Sequence, residues 1–276
     1  MKKLIALLLI SVLILALTGC SGKSSGSGKR NVKTVQIAVP TAEKPLSYTD
    51  ENGKLTGYEV EILKAVDKKI KGYTFNIQSV SSNAQQVGLD TGKYDLIAEG
   101  FFKNPVREKK YLIPDENDGA SLIRIYSNKK NKNLNSVEDL RGLNLVPTDA
   151  NGGMYYILTL FNKSYPENKL KIKTTDSGLS TADKLKSVDS GKYDALILPS
   201  NLGQADVIKK EKLNITTSEP VLVIPTYFLL SKKNTKLKKE IDNALKELKE
   251  DGTLSKLSVK YYGEDNLKYK ITDLDY

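Results

Sequence analysis

The chain has 276 residues, 39% of them hydrophobic, with 43 Lys and Arg against 33 Asp and Glu, no histidine and a single cysteine. Without histidine or a second cysteine it has no Ser-His or Cys-His nucleophile pair, no His-based zinc site and no disulfide framework. The net charge of +10 is uneven, because Lys2, Lys3, Lys23, Lys29 and Arg30 come first and no acid accompanies them; the remainder carries about +5 as lysines interspersed with acids, a solvated surface and not a nucleic-acid face.

In chain order, a basic start (Lys2, Lys3) precedes an apolar run from Leu4 to Leu17 broken only by Ser11. A membrane-spanning helix needs about 20 apolar residues, so this shorter run reads as an export signal over residues 1–19. Leu17-Thr18-Gly19-Cys20 resembles the cleavage site of a bacterial lipoprotein, which implies lipidation of Cys20 and attachment to the membrane. Residues 20–31 are mostly Gly and Ser and form a flexible tether.

The folded part begins at Val32. Val35, Ile37 and Val39 alternate as a strand, and Leu46, Tyr48 and the turn Asp50–Gly53 form a hairpin. Gly57-Tyr58-Glu59-Val60-Glu61 opens a helix with Ile62, Leu63, Val66 and Ile70 on one face. Tyr94–Ala98 forms a buried strand, followed by a glycine turn, a polar loop and an exposed Arg107 at a helix start. The end of a parallel strand is where open α/β sheets place ligands, and an arginine fork suits a carboxylate; the alternative for Arg107 is a surface residue paired with Glu108. Leu89–Asp95 (LDTGKYD) returns as Val188–Asp194 (VDSGKYD), which implies two similar α/β halves sharing a cleft. Between them lie a long strand (Ser121–Asn128), a helix at Ser136–Gly142 and a strand at Leu143–Val146. Thr148–Gly153 then leads into a helix from Met154 to Phe161. Asn151, Gly152 and Gly153 either offer N–H donors to ligand oxygens or make a tight strand-to-helix turn. Met154, Tyr155 and Tyr156 wall the cleft or are buried with Ile157, Leu158 and Phe161. Ser180 caps the next helix, Glu219–Ser231 is an apolar strand pair, and Thr235 caps a helix with Leu237, Ile241, Leu245 and Leu248 buried.

The order of these elements, GYEVE at a helix start and Arg107 seven residues beyond Gly100 resemble the extracellular solute-binding proteins, family 3, of polar amino-acid ABC importers. Asn243–Asp265, with Lys260-Tyr261-Tyr262-Gly263, resembles that family's C-terminal helices. The resemblance implies a two-lobed α/β type II periplasmic-binding-protein fold. Each lobe is a mainly parallel sheet flanked by helices, and two crossover strands join them. Lobe one comprises 32–124 and 224–276, and lobe two 125–223. It further implies a monomer that captures an amino acid and delivers it to a membrane permease, with Arg107 on the ligand carboxylate aided by Gly100, Phe102 and Asn104. Pro199 stands where the family commonly has an ammonium-binding aspartate, while Glu43 and Ser82 replace sandwiching aromatics. Glu43 and Glu99 are the acids able to supply the missing charge. Lys103–Leu112 (KNPVREKKYL) resembles cystine-binding members.

No catalytic residue, metal or cofactor is expected. Ser127 and Lys130 sit at Ser-x-x-Lys spacing by coincidence at a strand end, and the acidic turns at Asp50–Gly53 and Asp115–Gly119 lack calcium-loop spacing. The expected place is the outer face of a Gram-positive cell membrane. An adhesin for matrix or mucus, using the same fold on a basic surface, is the alternative. A sensor module is disfavoured by the lack of a signalling or membrane segment after Asp265.

Overall fold

The structure is a computed structural model that describes residues 32–131, 134–150, 152–176 and 178–274. The export signal, Cys20, the tether and Asn151 lie outside the described residues.

β1 (Lys33–Pro40) carries Val35, Ile37 and Val39 into the core. The short β2 (Ala42–Glu43), β3 (Ser47–Thr49) and β4 (Leu55–Thr56) pair antiparallel, with Asp50 Oδ1 accepting the turn N–H groups of Asn52 and Lys54. α1 (Tyr58–Lys69) buries Ile62, Leu63 and Val66 as its periodicity requires. β5 (Tyr73–Val80) runs parallel to β1, α2 (Ser82–Asp90) follows, and β6 (Leu96–Phe101) lies parallel on the other side of β1. After the short α3 (Pro105–Lys110), β7 (Gly119–Asn128) leaves this half of the molecule.

Next come β8 (Thr148–Asp149), α4 (Gly153–Ser164), β9 (Thr174–Thr175), α5 (Thr181–Asp189), β10 (Ala195–Pro199), α6 (Gln204–Lys210) and β11 (Ile215–Thr217). β12 (Leu222–Leu230) crosses back, and α7 (Thr235–Glu250) and α8 (Thr253–Tyr262) close the first half. The main sheet has the order β10-β7-β12-β6-β1-β5, with β11 also on β7. Parallel pairing surrounds β1. In the second half it continues as β8 on β9 and a bridge from Leu145 to Ala195, while β7 and β12 add antiparallel pairs where the chain crosses.

Three expected elements differ. The helix at Ser136–Gly142 is a 3₁₀ turn, Glu138–Leu140, held at its start by the Asp139 carboxylate, which takes the N–H groups of Asn135 and Ser136, and followed by Gly142 at a positive φ of 76°. The strand at Leu143–Val146 shrinks to the single Leu145 bridge, since Pro147, which has no N–H to give, follows at once. The strand pair at Glu219–Ser231 is one strand, β12. It pairs with β7 through Leu222–Thr226 and, after a register shift, with β6 through Tyr227–Leu230. In addition, Asn234 occupies the cap position expected of Thr235.

The repeated heptapeptide has a structural cause. Gly92 and Gly191 both take a positive φ, 77° and 79°, to end a helix and turn into a strand. The aspartates that follow each grip the neighbouring chain twice. Asp95 donates its N–H to the Gln36 carbonyl and accepts the Gln36 N–H on its carboxylate at 3.0 Å. Asp194 does the same with Asn144, at 2.7 Å.

Two main cores result. One joins Val35, Ile37, Val60, Leu63 and Leu96 from the chain's first part to Phe228, Ile241, Leu245 and Leu254 from its last. The other is built from the middle, around Ile123, Ile125, Leu140, Ile157, Leu185, Ile197 and Ile224. β7 and β12 link them.

Candidate functional site

A cleft of about 370 Å³ lies where the strand ends of both halves meet. β6 brings Glu99, Gly100 and Phe101, α3 brings Arg107, the β8–α4 loop brings Asp149, Gly152 and Gly153, and β10 brings Pro199. Glu43 contributes from β2.

Arg107 is half-buried rather than exposed, and its partner is not Glu108. Its Nη1 donates to the Phe102 carbonyl at 2.6 Å, and its guanidinium lies 4.9 Å from the centre of the Phe101 ring. Asn104 caps α3 by accepting the Arg107 N–H at 2.8 Å, so it fixes the start of the helix that carries the arginine. Burial pulls the Arg107 guanidinium below its usual range, and the nearby Glu99 charge opposes the shift.

Glu99 receives the Ser82 hydroxyl at 2.6 Å on Oε1 and the Gln85 amide on Oε2. Ser82 therefore stands behind Glu99 and is not among the lining residues. Burial raises the Glu99 carboxyl above its usual range, helped by the Glu43 charge, and the Ser82 hydrogen bond opposes it; burial raises Glu43 too. The Gly100 N–H does not point to an open acceptor, because it donates to Glu59 Oε1 at 2.6 Å. Phe102 packs into the second core, against Gly153, where an added Cβ would come within 2.9 Å of its ring. Gly152 caps and Gly153 begins α4, and the Gly152 N–H donates to the Asp149 carbonyl at 2.9 Å, so this stretch is a tight strand-to-helix turn on the cleft wall. Met154 is buried and Tyr155 half-buried, and both line the cleft. The Pro199 carbonyl accepts the Gln204 amide at 2.5 Å.

One charge pair escapes a reading from sequence. Lys184, on α5, lines the cleft at only 7% exposure, and its Nζ lies 3.1 Å from Asp149 Oδ2. A lysine among many reads as solvated surface. The signal lay in its place on the buried face of α5, beside Leu185 and Val188.

Beneath the Gly100 loop is a second unforeseen group. Glu59 and Asp118 are 1% and 0% exposed, and each keeps one carboxylate oxygen without a hydrogen-bond partner. Asp118 Oδ1 accepts the Thr226 hydroxyl at 2.6 Å, and its backbone carbonyl accepts the Tyr58 hydroxyl at 2.9 Å. Burial pushes the Asp118 carboxyl up to about 7 and raises Glu59 well above the carboxylate range, with Asp118 adding to the Glu59 shift. Among the described residues, no three His, Cys, Asp or Glu side chains come together to hold a metal ion.

Comparison with known proteins agrees with this architecture. Residues 35–264 match the bacterial extracellular solute-binding proteins, family 3. The L-cystine-binding protein TcyK of Bacillus subtilis is 28% identical over 268 residues, covering 95% of this chain and 96% of that protein. The probable amino-acid-binding protein YxeM of the same organism is 32% identical over 261 residues, covering 94% of each. Among solved structures, the probable amino-acid ABC transporter extracellular-binding protein ytmK from Bacillus subtilis superposes with a TM-score of 0.70 at 28% identity, over 85% of this chain and 99% of that one. The two-lobed fold is thus the type II periplasmic-binding fold, and the chain belongs to the bacterial extracellular solute-binding proteins, family 3.

Proposed function

We propose that this chain is the lipid-anchored receptor of an ABC importer, capturing an amino acid with two zwitterionic ends, such as cystine, and handing it to a membrane permease. The observation that carries this reading is the presence of two opposite-charge sets in one cleft, Arg107 with Glu99 and Glu43, and Lys184 with Asp149. Each set matches one carboxylate and one ammonium group. The first replaces the acid missing at Pro199, and the second gives a larger ligand its far anchor. The names of relatives that bind L-cystine support the same choice. A ligand bridging the two halves favours their closed arrangement, the state a permease distinguishes. Capture and release need no covalent step, and one chain suffices. Cys20, placed after Leu17-Thr18-Gly19, would hold the protein at the outer face of a Gram-positive membrane. A formed, charged cleft favours this function over an adhesin.

The test is a thermal-shift and calorimetric screen of residues 21–276 against all amino acids, cystine and short peptides. A ligand at a hundred times its dissociation constant adds about 2.7 kcal/mol. Cystine is expected to stabilise the protein more than single-headed amino acids. Arg107→Ala and Lys184→Met are each expected to weaken it by about 3 kcal/mol, roughly a hundredfold. A folded sample that responds to none of these compounds would overturn the proposal. For the anchor, Cys20→Ser is expected to release the protein into the medium.

A further inference from the structure

Beside Arg107 lies an outer space of about 530 Å³, walled by Pro105, Val106, Tyr111, Tyr155, Tyr156 and Thr159. Arg107, Gly152 and Tyr155 line both spaces, so the two adjoin at these residues. Several polar groups around the outer space are already engaged. The Tyr111 hydroxyl accepts from Gln86 and donates to Asp90 at 2.6 Å, and Lys110 pairs with the same aspartate at 2.6 Å. The Asn104 side-chain oxygen holds the Arg107 N–H, and the Thr159 hydroxyl donates to the Tyr155 carbonyl at 2.7 Å. What remains on offer, beside the unused donors of Arg107, is mainly apolar: the proline ring, aromatic faces and Val106. Val106 is 74% exposed at the start of a helix, where a polar or acidic residue would serve the helix better.

An apolar wall adjoining a charged chamber suits a ligand with the same two halves. We propose that the outer space is a subsite for an aromatic or branched apolar group. The protein then takes, besides bis-zwitterions, amino acids whose side chain ends in such a group, thioether derivatives of cysteine with an apolar S-substituent being the fitting class. The head group occupies the inner charge sets, and the substituent passes Arg107 and lies against Val106 and Tyr155. This rests on the amino-acid reading of the inner cleft.

The experiment titrates the soluble chain with cystine, S-methylcysteine and S-benzylcysteine, using the wild type and Val106→Asn. Val106 is exposed and makes no part of the inner site, and the change adds no charge beside Arg107. In the wild type, S-benzylcysteine is expected to bind at least tenfold tighter than S-methylcysteine. Val106→Asn should cut that advantage at least threefold while cystine affinity stays within twofold. Cystine binding with no advantage for the benzyl derivative overturns the subsite and leaves the amino-acid reading standing. An advantage that Val106→Asn does not alter places the ring elsewhere and also overturns it. Binding of none of the three overturns both.

Discussion

Arg107 has one arm of its fork fixed on the Phe102 carbonyl, which leaves its other donors for the cleft in a set orientation. A surface arginine would spend rotamer entropy to reach a ligand, and this one has already done so. Glu59 and Asp118 carry the opposite kind of information. Both are held in the neutral direction by burial. For Asp118, raised from about 4 to about 7, the folded chain binds more protons than the unfolded one between those values, so stability falls as pH rises through that window and levels off above it. Asp251, held down to about 2 chiefly by its Thr253 hydrogen bonds, acts with the opposite sign and only below about pH 4. Urea denaturation at half-unit steps from pH 4.5 to 7.5 is expected to show this slope in the wild type and a shallower one in Asp118→Asn; equal slopes would remove Asp118 as its source. Glu59 was visible in sequence only as a motif letter. Its acceptor role depends on Gly100, a residue far along the chain, and no local pattern announces such a pairing.

At the scale of elements, the strands and helices were legible because their apolar spacing coincides with what they bury, as in α1 and α7. The repeated Gly-Lys-Tyr-Asp was legible as a repeat, but its chemistry required coordinates: each aspartate is a side-chain clasp on the adjacent segment. The two clasps differ in depth. Asp95 is buried and also accepts the Asn234 amide at 3.0 Å, whereas Asp194 is only half-buried and its carboxylate clasps the Asn144 N–H near the surface. Asp95→Ala is accordingly expected to cost about 2–3 kcal/mol and Asp194→Ala about 1–2 kcal/mol, read from denaturation midpoints at constant m-value. Where the sequence misled, a chain breaker ended the element early: Gly142, at a positive φ of 76°, follows the single turn Glu138–Leu140, and Pro147, with no N–H to give, follows the Leu145 bridge. Lys184 was missed for a different reason, since burial of one lysine among many leaves no mark beyond its helical phase.

For the whole molecule, the sites of greatest leverage are the two crossings, β7 and β12. The segment after α8 fastens both: the Asn266 amide donates to the Ala120 carbonyl at 2.9 Å, and Thr272 exchanges two hydrogen bonds with Val223, its hydroxyl accepting at 2.8 Å and its N–H donating at 2.9 Å. Removing residues 265–276 is expected to lower stability by about 2–4 kcal/mol through these bonds and the packing of Tyr269 on Ala120, Leu122 and Val223. Hydrogen exchange should quicken in β7 and β12 before it does in β1 or β5. Unchanged protection in the crossings would show that this segment does not brace them.

The split of the first core between the chain's beginning and its end sets a timetable. As the polypeptide grows from its amino end, Val35–Ala98 appear early yet lack Phe228, Ile241 and Leu245 until the last fifty residues arrive. The fully buried residues of the middle core all come between Phe102 and Ile224, so it can begin to assemble while the first is still half-made. The older part of the chain must wait for the youngest, and in that interval its unfinished sheet, with β6 lacking its neighbour β12, is the surface a chaperone would have to guard.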